Sequence, residues 1–260
     1  MCQTRMKSTS SIPPIDPPRG GLLISHHYVN TSLNDNRGIT AIRSQLMRAA
    51  IAEAFGTFAL IFAGTGAIVV NATHGGSITH VGIALTFGLI VLAMIYALGD
   101  VSGAHLNPAV TLAFVVAGRF SIRDVPRYFV AQAFGAFAAS FVLRLMFPDH
   151  ATLGATLPSG SPMQSWVMEF ILTLILMTVI LGVSTGSEEK GVLAGIAIGS
   201  TIALEALFAG PVSGASMNPI RSLAPAVVSG HLEHLWIYLS APIVGAVAGV
   251  GIWSLIRPRS

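Results

Sequence analysis

Long apolar runs alternate with short polar breaks along the chain, and they mark out six spans. These run from about Leu46 to Val70, Val81 to Leu98, Tyr128 to Met146, Trp166 to Val183, Val192 to Phe208 and Leu235 to Ile256. Each is long enough for a helix to cross a bilayer, which takes roughly 17–25 residues. Two shorter segments interrupt the rhythm, and each opens on a near-repeat. Ser102-Gly103-Ala104-His105-Leu106-Asn107-Pro108-Ala109-Val110 recurs as Ser213-Gly214-Ala215-Ser216-Met217-Asn218-Pro219-Ile220-Arg221. Asn is a strong N-cap, and Pro suits the first helical position, where it wastes no N–H. The pattern predicts helices from Pro108 to about Val116 and from Pro219 to about Val228, both too short to span. Non-helical backbone leading into a half-helix survives at membrane depth only where it lines a polar cavity or is buried in protein. Two such half-helices in matching places predict a solute path near the midplane.

The two halves match beyond the boxes. Glu53-Ala54-Phe55-Gly56-Thr57 resembles Glu169-Phe170-Ile171-Leu172-Thr173, and the run Tyr128 to Gly135 resembles Tyr238 to Gly245. Three spans per half is an odd number, so the second half enters the membrane from the opposite side. The expected fold is therefore all-α: six transmembrane helices and two re-entrant half-helices in an inverted 3+3 repeat. The channel domain covers 46–257, with repeats at about 46–146 and 165–257. Residues 1–45, rich in Ser and Asn and carrying Pro13, Pro14, Pro17 and Pro18, are expected to be a disordered cytoplasmic tail. Ser8, Ser10 and Ser11 there are candidate regulatory positions.

Composition agrees with a membrane protein. Hydrophobic residues make up 53% and charged residues 10%, against about 25% charged in a soluble domain. The net charge of +3 traces to basic residues flanking the spans, so it implies no nucleic-acid partner. Arg37, Arg43, Arg48, Arg119, Arg123, Arg127, Lys190, Arg257 and Arg259 all fall on one face of a six-span arrangement. Loops 71–80 and 147–165 on the other face hold no Lys or Arg, and Arg221 is the one cation expected near it. Both termini are thus expected to be cytoplasmic. The single cysteine, Cys2, excludes an intrachain disulfide. Glycines recurring along the spans, among them Gly88, Gly135, Gly199 and Gly245, are expected to serve helix packing.

Facing half-helix N-termini make a positive centre, each worth roughly half a charge. The amides of Asn107 and Asn218 would donate there to a passing oxygen. That breaks a donor chain of waters and, with the field, excludes protons and cations. The carbonyls of Gly103, Ala104, His105, Gly214, Ala215 and Ser216 can replace lost hydration. The result is a conduit for small neutral hydrogen-bonding solutes.

These motifs resemble the aquaporin, or major intrinsic protein, family over residues 47–257. The resemblance rests on two Asn-Pro-Ala-type boxes, the run SGAHLNPAV, Arg221 directly after the second box, and AEAFGT opening the first span. The family implies one pore per subunit, usually in homotetramers, with no cofactor or metal. Ile220 departs from the Ala of the usual second box. Such substitutions occur in the nodulin-like subgroup and its bacterial relatives, and the side chain is expected to adjust half-helix spacing. The family's four-residue constriction maps by position from the boxes to Phe87, Ala206, Ala215 and Arg221. Strict water channels typically carry His at the place of Ala206. Ala206 and Ala215 imply a wider filter, apolar on one side, that admits glycerol, urea or neutral metalloid acids such as arsenous and boric acid. Ser222 and Ala226 point instead toward a strict water channel, which is the alternative. A plasma-membrane location is expected.

Several polar residues call for structural readings. Glu53 and Glu169 are symmetric intramembrane acids, expected to accept hydrogen bonds from N–H groups of the re-entrant loops. Asp100 and Ser102 are expected to cap the loop entering the first box. His105 either holds that loop or tunes a cytoplasmic gate by pH, and Glu205 faces either the outer vestibule or a subunit interface. Neither Ser-His-Asp order, metal-ligand spacing nor a phosphate loop stands near the boxes, so no enzyme is expected. A coupled transporter would need a titratable group at the midplane, where the boxes offer only amides and carbonyls.

Overall fold

The computed structural model describes residues 36–184 and 193–257. Helix α1 spans Asn36–Thr73, α2 Thr79–Ser102, α3 Pro108–Val116 and α4 Val125–Met146, the last preceded by a 3-10 turn at Ile122–Asp124. Then follow α5 Pro162–Val183, α6 Ala194–Ser213, α7 Pro219–Ser229 and α8 Leu235–Ile256. Six of these are long and apolar enough to cross a membrane. The other two, α3 and α7, are the half-helices. With 9 and 11 residues, they reach roughly 13–17 Å at about 1.5 Å per residue.

Boundaries differ from the sequence expectation in instructive places. Residues 36–45, assigned to the tail, are helical. Once α1 is nucleated, the stretch from Ile39 to Gln45 has no Gly or Pro to stop it. Helix α5 starts at Pro162 because Ser161 caps it, its Oγ accepting from Gln164 N at 3.2 Å. Helix α6 runs past Phe208 and through Pro211 to Ser213, where Gly214 ends it with φ +86°. Gly103 ends α2 in the same way, with φ +83°. The tail serines, Cys2, Lys190 and Arg259 lie outside the described residues.

Packing follows the repeat. The most extensive contacts pair α1 with α4, α5 with α8, and α2 with α6. Each crossing needs glycine. A Cβ on Gly135 would run into the Ala54 carbonyl, and one on Gly245 into that of Phe170. Gly88 and Gly199 do the same reciprocally between α2 and α6. Small residues let helix backbones approach this closely in lipid, where packing replaces the hydrophobic drive. Half-helix α3 packs on α8, and α7 on α4, so each is braced by the third long helix of the other repeat.

The face expected to be nearly free of cations also receives Arg144, at the end of α4. Its Nη1 donates to the Pro148 and His150 carbonyls, both at 2.9 Å, and Nη2 donates to the Val228 carbonyl at 3.5 Å. A cation there suits the exposed carbonyls at the C-terminus of α7.

Candidate functional site

The two boxes meet end to end. Each Asn caps its own half-helix: Asn107 Oδ1 accepts from Ala109 N at 2.9 Å, and Asn218 Oδ1 from Ile220 N at 3.1 Å. Each also reaches across. Asn107 Nδ2 donates to the Met217 carbonyl at 2.8 Å, and Asn218 Nδ2 to the Leu106 carbonyl at 2.9 Å. An amide nitrogen carries two N–H groups. One therefore braces the opposite loop, and the other has no partner among the described residues. Pro108, Ala109, Pro219 and Ile220 are all buried in this junction.

Two carboxylates hold the loops that lead into the boxes. Glu53 Oε1 accepts from His105 N and Ser102 Oγ, and Oε2 from Leu106 N and Gln132 Nε2, all at 2.8 Å. Glu169 accepts from Ser213 Oγ at 2.7 Å, Ser216 N at 2.8 Å and Met217 N at 2.7 Å. Drawing successive N–H groups to one side requires left-handed backbone at Ala104, Leu106, Ala215 and Met217, with φ of 46°, 50°, 43° and 53°. A non-glycine residue pays roughly 1–2 kcal/mol for that conformation. The turned-away carbonyls of Gly103, Ala104, His105, Gly214, Ala215 and Ser216 accept no hydrogen bond among the described residues. Tyr128 and Tyr238 close the same turns, each hydroxyl donating at 2.6 Å to the carbonyl of Ser102 or Ser213. Asp100 is exposed and makes no bond to this loop among the described residues, where Ser102 caps it. Proximity in sequence suggested both, but the helix turn between them points Asp100 away.

The four constriction candidates are all buried. The Arg221 guanidinium lies over the Phe87 ring, with Cζ 4.9 Å from the centroid. Its Nη1 donates to the Gly154 carbonyl at 2.8 Å, while its Nε has no partner among the described residues. Gly154 is needed there: φ is +74°, and a Cβ would stand 2.9 Å from Thr65. Phe87 in turn lies on Gly64, where any Cβ would strike the ring. Ser222 Oγ is tied to Thr156 Oγ1 at 2.7 Å and Ser216 Oγ at 2.6 Å. His105 is enclosed by Phe114, Phe120 and Tyr128 at ring distances of 4.7, 4.9 and 5.0 Å, and contacts Thr111 Oγ1 at 3.2 Å.

Two re-entrant half-helices with crossed Asn braces, each hung from a buried glutamate, are the decisive geometry, and comparison with known proteins agrees with it. The family model described as major intrinsic protein matches residues 40–253. The chain belongs to the major intrinsic protein family. It is 55% identical over 208 residues to aquaporin NIP1-1 of Zea mays, covering 80% of this chain and 74% of that one. It is 47% identical over 229 residues to nodulin-26 of Glycine max, covering 88% and 84%. An aquaglyceroporin structure from Plasmodium falciparum superposes with a TM-score of 0.73 at 28% identity, covering 81% of this chain and 96% of that one. This major intrinsic protein is a multi-pass membrane channel for water and small solutes, and it is not an enzyme.

Some residues of this channel gave no sequence signal. Gln132 donates to both Glu53 and Thr111 Oγ1, and its counterpart in the second repeat is Pro242. Gly154 supports Arg221 from a loop that looked featureless. Glu205 is 1% exposed, and neither carboxyl oxygen has a hydrogen-bond partner among the described residues. It faces the interior of this subunit's own bundle, not the outer vestibule or a subunit interface. Its face of α6 also carries Ala209 and Ser213, both fully buried.

Proposed function

We propose that the protein is a passive, bidirectional channel for water and small uncharged solutes, among them glycerol, urea and neutral metalloid acids such as arsenous and boric acid. The observation that carries this reading is the pairing of Arg221 over Phe87 with only Ala206 and Ala215 as the other expected walls. One side of such a constriction donates hydrogen bonds; the rest is apolar, and two of its three walls are short. A polyol or neutral acid can lay hydroxyls on Arg221 and carbon or metalloid on the alanines. Asn107 and Asn218 then orient each solute with their remaining N–H groups and, with the two half-helix N-termini, exclude protons and ions. The unbonded loop carbonyls accept from it on either side. Glu53 and Glu169 are structural acids, and the aromatic enclosure of His105 favours a loop-holding role over gating.

The aquaglyceroporin likeness supports the wide filter. Ser222 belongs to a strict water channel by its type, but its hydroxyl is spent on Thr156 and Ser216, which removes its weight as a selectivity signal. The channel works as a homotetramer in the plasma membrane with both termini cytoplasmic. Stopped-flow light scattering on proteoliposomes, under parallel water, glycerol and arsenous acid gradients, tests this. Rapid reswelling with glycerol or arsenous acid is expected. Fast water flow with both excluded would make it a strict water channel.

A further inference from the structure

A proline inside a helix leaves the carbonyl four residues earlier without its N–H partner. Pro211 lies inside α6, so that carbonyl belongs to Leu207. His80, in the first turn of α2, fills the gap: its Nε2 is 2.7 Å from the Leu207 oxygen. A carbonyl oxygen only accepts, so Nε2 carries the proton that makes this bond. The ring reaches the carbonyl over Gly210, where a Cβ would stand 2.8 Å from His80 Cε1. A missing donor, a substitute donor and the space to deliver it thus come from two different helices.

Those helices also carry two of the four constriction candidates. Phe87 lies two turns along α2 from His80, on the same face. Ala206 immediately precedes Leu207. Between them, Gly88 and Gly199 bring the two backbones into contact, so the pair is a stiff unit with His80 as its clasp at one end. We infer that His80 is a positioning residue for the constriction: its bond to the Leu207 carbonyl holds Ala206 at a set distance from Phe87 and so sets the solute size limit. This rests on the constriction reading above.

The test is a double-mutant cycle on the reconstituted full-length channel. Pro211→Ala restores an N–H that can bond the Leu207 carbonyl from within α6, so it makes His80 dispensable. His80→Leu alone is expected to loosen α6 and raise the ratio of glycerol to water permeability about fivefold, the size that loss of one hydrogen bond supports. His80→Gln, which keeps a donor, should restore the ratio. His80→Leu in the Pro211→Ala background should match Pro211→Ala alone. An equal shift in both backgrounds, or none in either, overturns the inference. If His80→Leu yields no folded protein, recovery by Pro211→Ala supports the inference, and failure in both backgrounds overturns it. A wild type that passes water but no larger solute refutes the constriction reading instead. Amide hydrogen exchange over 203–213 then decides for His80: faster exchange in His80→Leu only when Pro211 is present supports it, and equal exchange overturns it.

Discussion

Arg221 is held against Phe87 from behind as well as in front. The guanidinium stands 4.9 Å from the ring centroid, the ring rests on Gly64, and Nη1 is anchored to the Gly154 carbonyl. A desolvated cation–π contact is worth about 2 kcal/mol or more, so neither side chain is free to swing away. Arg221→Ala should raise the glycerol-to-water permeability ratio and open a cation leak, because it removes both bulk and the fixed positive charge. Arg221→Lys should keep cations out but shift the solute ratio, since an ammonium has no planar face to lay over Phe87 while bonding Gly154. Stopped-flow permeation and planar-bilayer currents on the same preparations check both. An Arg221→Ala channel with unchanged selectivity and no leak contradicts the constriction.

The two buried glutamates look equivalent in sequence but differ in what surrounds them. Gln132 Nε2 donates to Glu53, and its Oε1 is buried without a partner among the described residues. In Glu53→Gln the new amide N–H₂ can meet that idle oxygen after Gln132 turns over, which keeps the pair bonded at the cost of the Gln132 bond to Thr111 Oγ1. Glu169 has Pro242 at the corresponding place and no such reserve. Both variants leave a loop N–H facing an amide, and a buried bond to a charged group is worth about 1.5–3 kcal/mol. Glu169→Gln should therefore be the less stable of the two, by about 1 kcal/mol, the value of one neutral hydrogen bond. Thermal melting in detergent, followed by size-exclusion chromatography, reads the order. Equal melting, or the reverse order, removes the role given to Gln132.

Much of this was legible in the chain. The half-helices start at Pro108 and Pro219 as expected because their caps are local: Asn and Pro act within one turn. Glu53 and Glu169 were readable because their repetition at matching places separates a shared structural task from an isolated functional acid. What could not be read depends on register between distant segments. Gly154 reaches Arg221 across 67 residues, and His80 reaches Leu207 across 127. The second case also hid the end of α6. Gly210-Pro211 reads as a break, since the repair of the lost hydrogen bond comes from another helix. Arg144 gives no local signal for a similar reason, as its carbonyl partners lie partly on the far half-helix.

The loop that supplies Gly154 carries a pH dependence of definite sign. His150 Nδ1 accepts from Leu153 N at 3.0 Å, which requires that nitrogen to be unprotonated. Partial burial, and the positive charge of Arg144 nearby, push the His150 pKa below the usual histidine value. A depressed pKa means the neutral ring favours the folded loop. Its contribution is full above about pH 6.5, the unfolded value, and is lost as pH falls through the lower folded value. Amide exchange over 147–156 should thus be flat from pH 8 to 7 and rise at acidic pH, after correction for intrinsic rates. In His150→Phe, the acid-dependent rise should vanish while the loop is looser at every pH. A rise that persists in that variant assigns it to another group.

The chain carries a single cysteine, Cys2, far from the pore boxes in sequence. Mercurials should therefore leave the wild-type channel open, whatever solute is measured. Ala215 offers a direct position for a reporter. It is buried beside the second box, and its φ of 43° is already borne by a residue with a Cβ. Ala215→Cys adds only a thiol at no new backbone cost. Mercury on that sulfur would obstruct the constriction proposed for Ala206, Ala215 and Arg221. Water and glycerol flux should then fall together in Ala215→Cys after mercurial treatment and return with excess thiol reagent. Block of the wild type would move the pore elsewhere. An unblocked Ala215→Cys channel that reacts stoichiometrically with mercury would take Ala215 out of the constriction.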